Sequence, residues 1–418
     1  MRDLNESATP TAGNPAAPSQ TTSSRRPATG FTPQAVARLE SAIGARIAAG
    51  EIPGAVLLMA RHDEVLERAF GRQRPDGDQP MTIDTIFRIY SMTKPVVSVA
   101  TMMLAEAGRF LISDPVSKFL PEFKNVQVGV EVPDADGKLV LHLEPCRAEM
   151  TIQDLLRHTA GLTYGIFGIS TLVKEAYRTS GVDSSRVSNA ELVTRLAALP
   201  LALQPGTCWE YSRATDVLGA LLERVSGQTL DVYLHEQILA PLGMVDTGFW
   251  TAPAEQHRLA EAFEIDPVTG NKVRLLDVTR PPIFLSGGGG MVSTARDYLR
   301  FARMLKNGGE LDGVRLLSRK TIEFMTADHL GALPGAMEGP MYLPGPAYGF
   351  GLGFGVRLAT GCAQTPGSIG DYNWSGLAGT YFWIDPAEDL IAIWLMQAPE
   401  QRDTYRQLVR MLVASCLS

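Results

Sequence analysis

The sequence predicts a mixed α/β (α+β) fold, with one sheet assembled from both ends of the chain. Three observations predict it. Strand-like patterns cluster in residues 54–89 and again in 348–395. Helical periodicity opens the chain after residue 30 and closes it after residue 402. Between about residues 114 and 290 the pattern turns to helices and loops. A sheet with two apolar faces needs a layer on each, so the terminal helices are expected on one face and the inserted helical part on the other.

The elements follow in order. Residues 31–49 carry Val36, Leu39, Ile43 and Ile47 at helical spacing, and Gly50 ends the run. Residues 54–60 and 65–70 read as a hairpin turning through Arg61 to Glu64. A short strand at 86–89 delivers the chain to a helix at 96–107, with Val97, Ala100, Met103 and Leu104 on one stripe. Thr151 and Asp154 form a capping-box variant at the start of another helix. Helices are expected at 214–225, closed by Gly227, and at 230–239, with a further one at 294–305 opening on Thr294 and Asp297. Strands return at 348–358, 378–384 and 390–395, and a last helix spans 403–417. The domain expectation is a disordered leader at 1–30, a sheet domain from 31–113 and 291–418, and a helical domain at 114–290.

Composition excludes several functions. The net charge of −7 supplies no basic field for nucleic acid or an anionic membrane. No apolar run approaches the roughly 20 residues that span a bilayer. Cys146, Cys208, Cys362 and Cys416 are far apart with no C-x-x-C pair, so free buried thiols are expected and no metal site. The leader is rich in Ser, Thr, Pro, Ala and Gly and cannot offset the entropy of ordering. Its Arg25-Arg26 pair has no apolar segment behind it, which predicts a cytoplasmic protein.

The chemistry centres on Tyr90-Ser91-Met92-Thr93-Lys94-Pro95. A serine three residues before a lysine, at a helix start, sets both side chains on one face. A neighbouring amine is one way to activate a serine without histidine. Pro95 suits the first helical turn, and free N–H groups at a helix start favour negative charge. Alone the spacing is weak, since a capping serine and a surface lysine produce it too. Its weight comes from Tyr211, placed just before a helical run, and from Trp374-Ser375-Gly376-Leu377, which precedes a strand.

Together these segments resemble the class C β-lactamase and penicillin-binding-protein-like serine hydrolases, and within them the family VIII carboxylesterases. The supporting segments are 114–121, His158 to Leu162, and Gly287 to Thr294. The resemblance implies a β-lactamase/transpeptidase-like fold: an antiparallel sheet flanked by terminal helices, plus an inserted all-α domain, with the active site between. It also implies Ser91, Lys94 and Tyr211 as catalytic residues. There are two departures. Arg213 stands where the lactamase pattern has Asn, and Trp374-Ser375-Gly376 replaces Lys-Thr-Gly; Trp in that place resembles the esterase branch.

The expected function is therefore hydrolysis of short-chain carboxylic esters, with no cofactor, through an acyl-enzyme on Ser91, alongside weak β-lactam hydrolysis. A β-lactamase, a D-amino-acid peptidase and an acyltransferase are the alternatives. Either Lys94 or Tyr211 serves as base, and a lysine base would need a lowered pKa. The oxyanion hole is expected from the N–H groups of Ser91 and Leu377. Trp374, Ser375 and Gly376 are expected to line the substrate site. Arg213 either steers a substrate carboxylate or sits on the surface. His158 is read as a structural hydrogen-bonding residue, since no G-x-S-x-G elbow exists. Gly287 to Gly290 is read as a tight turn, and the loop at 330–348 as a border of the cleft.

Overall fold

The computed structural model describes residues 30–331, 333, 335–337 and 342–417. The predicted leader lies outside the described residues except for Gly30, as does part of the 330–348 loop.

Seven antiparallel strands form the main sheet: β1 (Gly54–Arg61), β2 (Glu64–Gly71), β3 (Tyr348–Phe350), β4 (Gly355–Arg357), β5 (Tyr372–Ser375), β6 (Tyr381–Asp385) and β7 (Leu390–Met396). Their order is β2-β1-β7-β6-β5-β4-β3. The N-terminal hairpin thus joins the C-terminal strands through β1 and β7, with Ala55 opposite Met396 and Arg61 opposite Leu390.

Period-2 alternation splits the sheet between two cores. Ala55, Leu57, Met59, Trp383, Trp394 and Met396 face α1 (Pro33–Ala48) and the last helix, α5 (Arg402–Ala414). Val56, Leu58, Phe382, Ile391, Ile393 and Leu395 face α2 (Thr93–Glu106) and α4 (Ala295–Lys306). The ends of the chain meet where the Thr32 N–H donates to the Cys416 carbonyl at 2.8 Å. The exposed edge strand β2 carries Glu64, Glu67 and Arg68, charges that discourage further strand pairing.

The inserted part contains α3 (Ala214–Ser226), closed by Gly227 in the left-handed region at φ +78°, and the Thr151 capping box. It is not all-α. A hairpin of Gln127–Pro133 and Leu139–Pro145 stands within it, pairing Val130 with His142. The expected strand at 348–358 is two strands broken at 351–354, and β5 is a strand not foreseen. Only Cys416 of the four cysteines is buried; Cys146 and Cys208 are half-buried and Cys362 is exposed, against the expectation of buried thiols. Among the described residues no helix is long and apolar enough to cross a membrane.

The glycine run at 287–290 is more than a tight turn. None of its glycines has a positive φ; they are small because chains meet there. A methyl on Gly287 would lie 2.5 Å from the Thr215 carbonyl oxygen and 3.4 Å from the Gly219 Cα in α3. Gly287→Ala is expected to cost about 1–3 kcal/mol through this overpacking, visible as a lower urea midpoint.

Candidate active site

Ser91 lies in a single 3₁₀ turn, Tyr90–Met92, that runs directly into α2. Tyr90, immediately before it, has φ +45°, a left-handed conformation that a tyrosine adopts only under constraint. The constraint is visible on three sides. The Ile89 N–H donates to the Met291 carbonyl at 3.0 Å. The Tyr298 hydroxyl donates to the Met92 carbonyl at 2.9 Å, and the Leu276 N–H to the Tyr90 hydroxyl at 2.8 Å. The turn is held by its surroundings rather than by local preference.

Around Ser91 the predicted residues converge. The Tyr211 hydroxyl donates to Ser91 Oγ at 2.7 Å, and Lys94 Nζ lies 3.2 Å from the same oxygen. Lys94 Nζ also reaches the Tyr164 hydroxyl at 3.2 Å and the Gly288 carbonyl at 2.6 Å, and it sits 4.6 Å from the centre of the Tyr211 ring. An ammonium has three N–H donors, and three oxygens surround this one. Lys94 is only 1% exposed. Burial opposes its charge, but Tyr164, Tyr211 and Asp216 outweigh burial and hold its pKa above the ordinary lysine value. The lowered pKa that a lysine base requires is therefore not found. Burial also pushes the Tyr164 phenol up to about 12.

Three contributors were not foreseen. Tyr164 follows the His158 to Leu162 segment by two residues. The Gly288 carbonyl comes from the glycine run. Asp216, on α3, accepts from the Gly288 N–H at 2.8 Å and from Ser286 Oγ at 2.6 Å, fixing the loop whose carbonyl holds Lys94. Arg213 corrects both of its expectations. It is buried, pairs with Asp216 at 3.2 Å and with Asp183, and lies 5.3 Å from the Tyr164 ring. It is neither a surface residue nor a free cation for a substrate carboxylate; its charge is taken by Asp216 and Asp183.

A cleft of about 510 Å³ opens onto this group, lined by Ser91, Tyr211, Phe167, Trp374, Leu377 and Tyr381 among others; Ser375 and Gly376 line it too. Trp374 lines the cleft, and its ring packs 5.6 Å from that of Tyr211 and 5.2 Å from that of Phe350. The Trp374 segment is not at the sheet edge, because β4 and β3 lie outside β5. However, β4 pairs only with Tyr372 and Asn373, leaving Trp374 and Ser375 unpaired on that side. A methyl on Gly376 would fall 2.4 Å from the Ile89 carbonyl oxygen, so its small size lets β5 approach the serine turn. Among the described residues, neither the Ser91 nor the Leu377 N–H meets a hydrogen-bond acceptor.

His158 is buried, with Nδ1 3.2 Å from Ser212 Oγ and its ring 5.1 Å from that of Tyr211. Burial, aided by the Lys94 charge, lowers its pKa well below the ordinary 6.5. The unfolded chain therefore binds the extra proton first. Stability is full above pH 6.5 and falls as pH drops below it, by up to about 1.4 kcal/mol per pH unit. Urea melts at pH 7 and 5.5 are expected to show this loss, reduced in His158→Gln.

A family model described as Beta-lactamase matches residues 39–415. Esterase EstB of Burkholderia gladioli is 32% identical over 378 residues, covering 86% of this chain and 89% of that protein. Among solved structures, "EstCE1, a hydrolase with promiscuous acyltransferase activity" aligns with a TM-score of 0.75 at 28% identity, covering 91% of this chain and 98% of that one. Simvastatin synthase (LovD) from Aspergillus terreus aligns at 0.76 and 25% identity, covering 92% and 98%. The chain belongs to the β-lactamase family, on its family VIII-like esterase side.

Proposed function

We propose that this protein is a serine carboxylesterase that hydrolyses short-chain esters through an acyl-enzyme on Ser91. The observation that carries the reading is Ser91 Oγ under the joint hydrogen bonds of Tyr211 and Lys94, at the floor of an aromatic-lined cleft. The esterase and acyltransferase relatives support it.

In this mechanism the Lys94–Tyr211 pair gives up one proton before it acts as a base. The surroundings of Lys94 keep the remaining proton on the amine, so the Tyr211 oxygen takes the Ser91 proton as Oγ attacks the ester carbonyl. The developing oxyanion is met by the N–H groups of Ser91 and Leu377. Tyr211 then returns its proton to the leaving alcohol. Water, activated by the same oxygen, cleaves the acyl-enzyme, releasing the acid and restoring Ser91. An alcohol in place of water gives acyl transfer, a second reading favoured by the two aligned structures.

The test is a p-nitrophenyl ester series from C2 to C12, with a chromogenic cephalosporin and an added alcohol run alongside. The expected result is the highest kcat/KM at short acyl chains and little cephalosporin turnover. Turnover of the cephalosporin alone overturns the esterase reading, and ester product in preference to acid favours transfer.

A further inference from the structure

Arg402, Arg406 and Arg410 recur every four residues on α5, and all three line the cleft that holds Ser91. Arg410 is committed to the fold. It donates to the Tyr381 hydroxyl at 2.7 Å and pairs with Asp371. Arg402 donates to the Pro399 carbonyl just before its own helix. Arg406 differs from both. One of its hydrogen bonds stays within α5, to Asp403 one turn back at 3.2 Å. The other leaves the helix and reaches the Gly376 carbonyl at 2.7 Å. Its Nε is buried without a partner among the described residues, so outside α5 the Gly376 carbonyl is the hydrogen-bond anchor of this side chain among those residues.

The Gly376 carbonyl and the Leu377 N–H belong to one peptide unit. In a planar trans peptide the C=O and N–H point in opposite directions. Whatever holds the carbonyl therefore aims the amide. The Gly379 N–H closes a turn onto the same carbonyl oxygen at 3.1 Å, and the Gly376 N–H donates to the Thr380 carbonyl at 2.8 Å. Arg406 adds the shorter, charge-assisted bond, which also draws electron density toward the carbonyl and strengthens the N–H as a donor.

We propose that Arg406 is a positioning residue of the oxyanion hole, holding the Gly376–Leu377 peptide so that the Leu377 N–H faces the reacting carbonyl. This rests on the reading of Leu377 as an oxyanion donor. Arg406 touches neither substrate nor nucleophile in this role. Its loss acts on the transition state and leaves ground-state binding alone.

The experiment compares wild type, Arg406→Met, Arg406→Lys and Leu377→Pro, each first checked by thermal melting. It measures kcat and KM on p-nitrophenyl butyrate and the rate of Ser91 labelling by an alkyl fluorophosphonate. Misaiming one donor is expected to lower kcat by about 10–100-fold in Arg406→Met with KM changed less than about threefold. Labelling should slow in parallel, and Arg406→Lys should recover much of the loss. Unchanged kcat in a folded Arg406→Met, or a loss confined to KM, overturns the proposal. If Arg406→Met does not fold, Arg406→Lys decides: native kcat and KM support the role when Leu377→Pro is impaired, and a change in KM alone overturns it. The readings fail separately. Wild type labelled by the phosphonate but inert to esters sinks the esterase reading and leaves labelling to judge Arg406. A fully active Leu377→Pro sinks the oxyanion assignment and this proposal with it.

Discussion

Ser91→Ala is expected to lower kcat/KM for p-nitrophenyl butyrate by about 10⁴–10⁶-fold while leaving the melting temperature close to wild type. The size follows from the proposed role of Ser91 as nucleophile. Without Oγ there is no covalent step, and only binding and the oxyanion donors remain to assist water. The small effect on folding follows from the position, since Ser91 is half-buried and its Oγ only accepts from Tyr211 and Lys94. Intact-mass analysis provides an independent check: wild type mixed briefly with ester should gain one acyl mass, and the variant none. Ester turnover surviving in the variant would move the nucleophile elsewhere.

The second large effect distinguishes the two candidate bases. Tyr211→Phe should reduce kcat by about 10²–10⁴-fold, the usual scale for a general acid–base group. The ring stays, so its packing against Trp209, Trp374 and His158 is kept and stability should hold. Lys94 remains in place in this variant, so near-native turnover would return the base role to the amine.

Much of the site was legible in the sequence because its strongest signals are local. Ser91 and Lys94 share a helix face by spacing, and Tyr211 stands at the entrance to α3. What was not legible was made by tertiary contact. Nothing near Gly288 announces that its carbonyl will meet Lys94, 194 residues away in sequence. Arg213 was misread because a charged side chain is usually exposed, and its burial depends on Asp216 and Asp183 both facing it. The same holds for Lys94, whose charge is kept by phenols from separate loops. In the fold, the hairpin of Gln127–Pro133 and Leu139–Pro145 did carry a signal, with Val128, Val130 and Val132 alternating ahead of an Asp136-Gly137 turn. The helical patterns around it drowned that signal. At four residues, β5 is too short for alternation to stand out.

The pairing of β1 with β7 has a consequence for synthesis. The N-terminal hairpin leaves the ribosome early but cannot find its sheet neighbour until residues 390–396 emerge, and α5 follows later still. Pairing across so long a stretch of chain is slow and leaves apolar strands waiting. Since α5 carries Arg406 and covers the faces of Trp383 and Trp394, the nascent protein has neither a closed core nor a complete cleft until α5 has emerged. Sheet and cleft are thus completed together, and deletion of residues 404–418 should abolish the fold along with the activity.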